Sequence, residues 1–293
     1  MTKKKIKKAV FPVAGLGTRI LPATKAIPKE MLPCLDKPLI QHSVDEAREA
    51  GIEQFIFVIS KGKSAIEDHF DVNKELNQAL ESKSKHNALK AVRDSEIPTG
   101  NLFFTRQAMP LGLGHAVWCA KNFIGNEPFA VLLPDDVMMC ETPCLKQMLD
   151  AYEELEGNMV SVMEIPKDQT NKYGILDIDG DSSKDIVKIK GLVEKPDPEK
   201  APSCLSIVGR YILQPEIFNH LEAKTVGTGG EIQLTDSMAK LIGQQPFHGL
   251  KFKGTRFDCG DRIGYITANL AFALKDDELS DEIRENVKKL ILS

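Results

Sequence analysis

Between Lys8 and Gly157 the chain alternates short apolar runs with longer amphipathic ones, and this alternation restricts the fold more than any other feature. "KKAVFPVAG", "QFIFVISKG", "NLFFTRQ" and "PFAVLLPDD" are apolar runs of strand length. Between and after them lie "LIQHSVDEAREAG", "SAIEDHF", a polar helical stretch near 74–93, "GHAVWCAKNFIG" and "CLKQMLDAYEELEG". In the first of these Ile40, Val44 and Ala47 share one helical face, and Gly51 supplies a stop. Apolar strands joined by helices predict an α/β fold, a Rossmann-like mixed, mostly parallel sheet flanked by helices. After Gly157 the pattern changes. "NMVSVMEI", "YGILDID", "DIVKIKGLVEK" and "LSIVGRYIL" follow one another without a helix of any length, which predicts an antiparallel extension or a mixed sheet. "EIFNHLEA", "IQLTDSMAKLIG" and a helical stretch from Asp261 close the chain. No repeat or low-complexity linker divides it. A single domain is expected over 1–293, with halves at about 8–157 and 158–260 and a helical region at about 261–293.

Bulk properties narrow the function. The net charge of −4 gives no global field that would attract nucleic acid or anionic lipid. The basic start "TKKKIKK" reads as a solvated tail. No apolar stretch approaches the ~20 residues of a membrane span, and the run Ala9–Ala14 is too short for a signal peptide. The six cysteines form no framework, and Cys140 and Cys144 have no second pair to complete a zinc site. His42, His69, His86, His115, His220 and His248 show no ligand spacing either. Free thiols point to a reducing, cytoplasmic location.

The first strand runs into "AGLGTRILPATKAIPKEMLP". A dinucleotide fingerprint from Gly15 would need glycine where Ile20 stands, and no Gly-Lys pair followed by Ser or Thr completes a P-loop. The loop still suits a phosphate. Gly15 and Gly17 allow backbone N–H groups to approach an anion, and Thr18 adds a hydroxyl. Arg19 brings a forked cation, and Lys25 and Lys29 bring compact ones. Pro22, Pro28 and Pro33 keep the segment from becoming a helix, so an extended loop able to wrap a ligand is expected.

A second group of residues is acidic. Asp135 and Asp136 directly follow the strand "FAVLL", and ligand crevices in open α/β sheets lie at the carboxyl ends of strands. One aspartate there ordinarily caps a turn; two adjacent ones fit Mg²⁺, which takes one or two carboxylates with phosphate oxygens. "GTRFDCGDRIGY" offers Asp258 at another strand end, with Asp261 the better candidate for the cap of the helix that follows. In "GLVEKP", Glu194 and Lys195 are strand-end neighbours, so their side chains are expected to diverge. Gln107, in "RQAMPLGLGHAV", carries the donors and acceptor that match a pyrimidine imide edge.

G-x-G-T-R, P-x-T, P-K-x-M-L-P and K-P, in that order from Gly15 to Pro38, resemble the signature of the sugar-1-phosphate nucleotidylyltransferases, and the resemblance extends from Lys8 to about Leu274. It implies the nucleotide-diphospho-sugar transferase type of sheet, with a nucleotide-binding first half and a sugar-binding second half. Ala14 and Gly15 would contact base and ribose, and Gln107, Gly112 and Glu30 the base. Arg19 and Lys29 would hold the triphosphate, with Gly17 and Thr18 in the same loop. Asp135 and Asp258 would bind Mg²⁺. Asp136, Gly174, Glu194 and Lys195 would face the sugar 1-phosphate, Lys195 on its phosphate.

"PKEMLP", "LPDDV" and "GTGGEIQLTDSM" are most similar to the branch using UTP and glucose 1-phosphate. The implied reaction is transfer of UMP by in-line attack with no covalent enzyme intermediate, releasing pyrophosphate. A dTTP-dependent thymidylyltransferase is the alternative within this chemistry. A catalytically silent nucleotide-binding homologue would be expected to have lost Arg19, Lys29 or an aspartate, and all are present. Homologues of this kind imply a homodimer or homotetramer, and the amphipathic C-terminal stretch can pack on its own core or on a partner's.

Overall fold

Ala9, Val10 and Phe11 are completely buried because the strand they form, Lys8–Pro12, lies inside a sheet covered on both faces. The computed structural model describes residues 5–292; of the basic start, Thr2, Lys3 and Lys4 lie outside the described residues. Among the described residues the sheet has nine strands. From one edge they run Leu102–Arg106, Gln54–Ile59, Lys8–Pro12 and Phe129–Leu132, all mutually parallel. Leu205–Leu213 follows antiparallel to both its neighbours, then Asn158–Glu164 paired in parallel with Phe247–Lys251, then the antiparallel Ile186–Glu194 and Gly174–Asp179. The parallel character expected for the sheet is thus concentrated in the first half, and the later strands make it mixed.

Register in the parallel half is fixed by aromatic packing. Phe11 lies opposite Phe57, which lies opposite Phe104, with ring centroids 4.9 and 5.3 Å apart. The helix Leu39–Glu49 buries Ile40, Val44 and Ala47 as its periodicity predicts, and Gly51 ends it with φ +92°. The polar stretch near 74–93 forms two largely exposed helices, Lys74–Ser82 and His86–Ser95. Among the later strands, the one helical interruption before Leu213 is a 3₁₀ segment, Lys167–Lys172. At the C-terminus, Arg262–Ala273 buries Ala268 and Ala273, whereas no residue of Ser280–Leu292 is itself buried.

The four parallel strands present four successive loops at one edge, beginning at Val13, Ser60, Gln107 and Leu133. The last of these is held from behind by a buried charge. Leu205–Leu213 is buried along its whole length yet carries Arg210, which has no exposed surface. Arg210 Nε donates to both Glu46 oxygens at 3.0 and 3.1 Å, and Nη2 to Glu46 Oε2 at 2.7 Å. The same guanidinium donates to the carbonyls of Leu133 (3.1 Å), Gly209 (3.0 Å) and Asp136 (2.9 Å). Glu46 Oε1 also accepts from the Leu145 N–H, in the first turn of Cys144–Leu155. Two helices, a strand and the turn carrying the two aspartates therefore meet at one ion pair.

A buried charge deprived of its partner is costly, whereas an apolar pair of similar volume is not. Arg210→Met is expected to destabilise the fold by about 3–5 kcal/mol in urea denaturation. The double variant Arg210→Met/Glu46→Leu is expected to recover part of that loss, which non-interacting sites would not allow.

Candidate active site

The glycine loop is shaped by its own cations. Gly17 adopts φ +66°, and a side chain there would begin 3.2 Å from Lys29 Cβ and 3.3 Å from Thr24 Cβ. Thr24 Oγ1 donates to the Gly17 carbonyl at 2.6 Å, closing the loop on itself. The prolines do prevent a regular helix, but the segment is not extended. It folds into three single 3₁₀ turns, Thr18–Ile20, Ala23–Lys25 and Lys29–Met31. That compaction brings Lys29 Nζ to 2.6 Å from Asp135 Oδ2, across 106 residues of sequence. Burial works against the Lys29 ammonium, yet Asp135, with Glu30 behind it, outweighs burial and raises its pKa above the ordinary lysine value. Burial likewise opposes the Asp135 charge, and Lys29 more than offsets it, so Asp135 stays ionised below the usual aspartate range.

Asp258 reaches the same place from the other side. Strand Asp136–Met139 pairs antiparallel with Thr255–Asp258, placing Asp136 opposite Asp258. The Cys259 N–H donates to the Asp135 carbonyl at 2.7 Å, and the Gly260 N–H to Asp258 Oδ1 at 3.0 Å. A methyl group on Gly260 would lie 2.9 Å from Asp258 Oδ1, 3.0 Å from Asp135 Oδ2 and 3.6 Å from Arg19 Nη1. Two carboxylates and one guanidinium therefore crowd a point that only glycine leaves open. Among the described residues no set of three or more His, Cys, Asp or Glu side chains forms a metal cage. Two carboxylates with phosphate oxygens to complete the shell are nonetheless a donor set that suits Mg²⁺. Asp261 caps the following helix, its carboxylate accepting from the Gly264 N–H at 2.8 Å.

Asp136 requires a correction. Expected to face the sugar, it is turned inward, 6% exposed, with both oxygens engaged. Oδ2 accepts from the Gly209 N–H at 2.7 Å, and Oδ1 accepts from Arg256 Nε at 2.8 Å and from Arg256 Nη2. Adjacent strand residues face opposite ways, so a turn that presents Asp135 outward buries its neighbour. Burial pushes Asp136 up from the aspartate range, Arg256 opposes the shift, and Asp135 and Asp258 reinforce it.

On the sugar side, Glu194 and Lys195 do not diverge. Lys195 takes φ +46°, a left-handed conformation that costs a non-glycine residue about 1–3 kcal/mol. Its N–H donates to the Tyr173 carbonyl at 3.0 Å, and its Nζ folds back to 3.3 Å from Glu194 Oε1. A methyl group on Gly174 would sit 3.3 Å from Glu194 Oε2 and 3.1 Å from Thr235 Oγ1, so these three line one surface. On the base side, buried Gln107 donates through Nε2 to the Gly112 carbonyl and to His115 Nδ1, both at 3.0 Å. Its Oε1 is thereby left as the acceptor. Gly112 has φ +101°, and the space beside it is filled by Glu231 and Ile232. Its glycine permits the close approach of that segment. Ala14 is buried beneath the loop. Glu30 is 1% exposed, paired through Oε2 with Lys63 at 2.6 Å, and its Oε1 is buried without a hydrogen bond. Burial raises its pKa against the pull of Lys63 and Lys29.

A cavity of about 1010 Å³ lies elsewhere, lined by Lys7, Glu53, Pro128, Gly157 and Pro246 among others. Those residues precede the strands, at the edge opposite the loops, and none of the site residues lines it.

A family model described as Nucleotidyl transferase matches residues 8–274. The chain belongs to this family. It is 52% identical to the UTP–glucose-1-phosphate uridylyltransferase of Komagataeibacter xylinus over 260 residues, 89% of this chain and 91% of that protein. Among solved structures it is similar to a UTP-bound UGPase from Acinetobacter baumannii (42% identity, TM-score 0.88, covering 98% of this chain and 99% of that one). A UDP-glucose pyrophosphorylase complexed with UDP-glucose gives 42% identity and a TM-score of 0.85, covering 92% of this chain and 100% of that one.

Within this nucleotidyl transferase, sequence reasoning missed Arg256, Lys63 and Thr235. Arg256 was legible in principle, since "RFD" in a strand puts Arg256 and Asp258 on one face. Thr235 stands in a segment whose only signal was helical, and Lys63 in the single-residue link between a strand run and a helical one.

The Lys29–Asp135 pair has a definite pH signature. Asp135 ionises more readily folded than unfolded, so its contribution is present at neutral pH and is lost as the pH falls through a folded value below the ordinary 3.8. The Lys29 contribution fails only at the alkaline end, as the pH rises through a value above 10.5. Thermal melts of the wild type and Asp135→Asn are therefore expected to differ at neutral pH, wild type higher, and to converge in acid.

Proposed function

We propose that this chain catalyses Mg²⁺-dependent transfer of UMP from UTP to glucose 1-phosphate, giving UDP-glucose and pyrophosphate. The observation that carries the reading is the meeting of Asp135, Asp258 and Arg19 at Gly260, with Lys29 on Asp135. The names of the similar proteins support the choice of nucleotide and sugar. In this reading Asp135 and Asp258 hold the ion, which neutralises phosphate charge when bound. Gly15, Gly17 and Thr18 cradle the triphosphate while Arg19 and Lys29 carry its negative charge. Lys195 fixes the attacking sugar phosphate in line with the α-phosphorus, and Glu194 and Gly174 border the sugar. Ala14 lies under base and ribose and Gln107 Oε1 accepts from the pyrimidine imide, while Glu30, 1% exposed and paired with Lys63, supports the site from inside and does not meet the base as the resemblance implied. No protein nucleophile takes part, so catalysis is positioning and charge stabilisation. Asp136 serves as an internal anchor.

The reading places the nucleotide half at about 8–157, the sugar half at about 158–260 and the C-terminal helices at about 261–293 in one catalytic unit. A cytoplasmic location fits the six free cysteines. A homodimer or homotetramer fits the exposed Ile263 and Ile266 and a last helix none of whose residues is buried.

Pyrophosphate release with UTP, dTTP, ATP and GTP against glucose and galactose 1-phosphates tests the assignment. UTP with glucose 1-phosphate is expected to be fastest; preference for dTTP would move the chain to the thymidylyltransferase reading, and no release with any pair would overturn it. Asp135→Asn and Lys195→Ala are each expected to lower kcat by about two orders of magnitude.

A further inference from the structure

Three carboxylates, Asp135, Asp136 and Asp258, are gathered at the join between the nucleotide and sugar sides, and Lys29 covers only the first. The other two share Arg256, whose side chain is 8% exposed. Its Nε and Nη2 both reach Asp136 Oδ1, and Nη2 also lies 3.2 Å from Asp258 Oδ2. Nη1 donates to the Tyr173 hydroxyl at 3.3 Å, and the guanidinium sits 5.3 Å from the centre of the Tyr173 ring. Every edge of the planar fork therefore has a different partner, an arrangement that a lysine ammonium cannot reproduce.

Two consequences follow. Asp258 has one oxygen on Arg256 and the other on the Gly260 N–H, so its carboxylate plane is fixed. Tyr173 immediately precedes Gly174, and its carbonyl accepts the Lys195 N–H at 3.0 Å. The cation that orients Asp258 thus also secures the turn that holds Lys195 in its left-handed conformation.

We propose that Arg256 is a positioning residue that couples the two sides of the site: it aims Asp258 at Asp135 and, through Tyr173, sets Lys195 for the sugar phosphate. The proposal rests on the function proposed above, in which Asp258 holds a divalent ion and Lys195 the sugar phosphate. Partners that orient metal-binding side chains typically contribute about 10- to 100-fold in affinity or activity.

The test uses Arg256→Lys, which keeps the charge and removes the fork, Tyr173→Phe, which removes only the hydroxyl, and the double variant. Mn²⁺ binding in the presence of UTP, followed by electron paramagnetic resonance, is expected to weaken about tenfold in Arg256→Lys. KM for glucose 1-phosphate is expected to rise several-fold in both single variants while KM for UTP stays within about twofold. The double variant is expected to be no worse in KM for the sugar phosphate than Arg256→Lys alone, because both changes break one linkage. Unchanged Mn²⁺ affinity and KM in Arg256→Lys, with only a lowered Tm, would overturn the proposal, as would fully additive effects. Should Arg256→Lys not fold, an unaltered KM for glucose 1-phosphate in Tyr173→Phe overturns it equally. A wild type that binds Mn²⁺ but releases no pyrophosphate would fail the functional reading instead, and the Mn²⁺ titration would still report on Arg256 and Asp258.

Discussion

The site depends on a salt bridge that no substrate touches. Arg210 and Glu46 are buried together, and between them they bind a sheet strand, two helices and the carbonyls of Leu133 and Asp136. Within the turn from Leu133 to Asp136 the Leu133 carbonyl already accepts from the Asp136 N–H at 3.1 Å, and the guanidinium adds a second donor there and one on the Asp136 carbonyl. Fixing these carbonyls fixes the backbone of Asp135, and with it the direction in which its carboxylate leaves the protein. The desolvation of an ion pair is offset here by seven hydrogen bonds, six from the guanidinium and one from the Leu145 N–H. Its role is specification of one geometry.

The remaining charges alternate outward from that hub. Arg210 supports the backbone of Asp136, Asp136 and Asp258 share Arg256, and Asp135 meets Lys29. Asp135 and Asp136 each meet a cation from a distant part of the sequence, and Asp258 shares the arginine two residues before it, so opposite charge offsets the repulsion among these acids. An arrangement of this kind is prepared for phosphate: Arg19 and Lys195 are exposed on short turns, while Lys29, Arg210 and Arg256, which hold the acids in place, are largely buried. Lys195 adds backbone strain to the same purpose, its left-handed conformation fixed by Tyr173.

Much of this was readable from local pattern. Period-two and period-3.6 alternation located the strands and the first helix, and the strand-to-glycine transition located the phosphate loop. Asp135 and Asp258 were visible as acids at strand ends, and Asp261 as a cap. What escaped were facts of pairing over long separations. Nothing local says that the arginine inside "LSIVGRYIL" answers a glutamate 164 residues earlier, or that Lys63 answers Glu30. A cation in an otherwise apolar strand does say that some acid must be buried beside it. The Glu194–Lys195 pair was misjudged for a related reason: side-chain direction at a strand end depends on whether the next residue keeps extended geometry. Lys195 turns left-handed, so counting alternation gave a false divergence, whereas the sugar-facing role of Asp136 was implied by the resemblance alone and alternation from Asp135 points it inward. The segment packed beside Gly112, Glu231–Ile232, was likewise invisible because it lies far away in sequence.

The central claim is spatial: acids from two strand ends face one divalent ion beside the triphosphate. Replacing Mg²⁺ by Fe²⁺ in the presence of UTP, then adding ascorbate and peroxide, cuts backbone close to the bound ion. The account predicts paired cleavage beside Asp135 and beside Asp258, suppressed by excess Mg²⁺. Cleavage at one of these positions alone, or at neither, would contradict it.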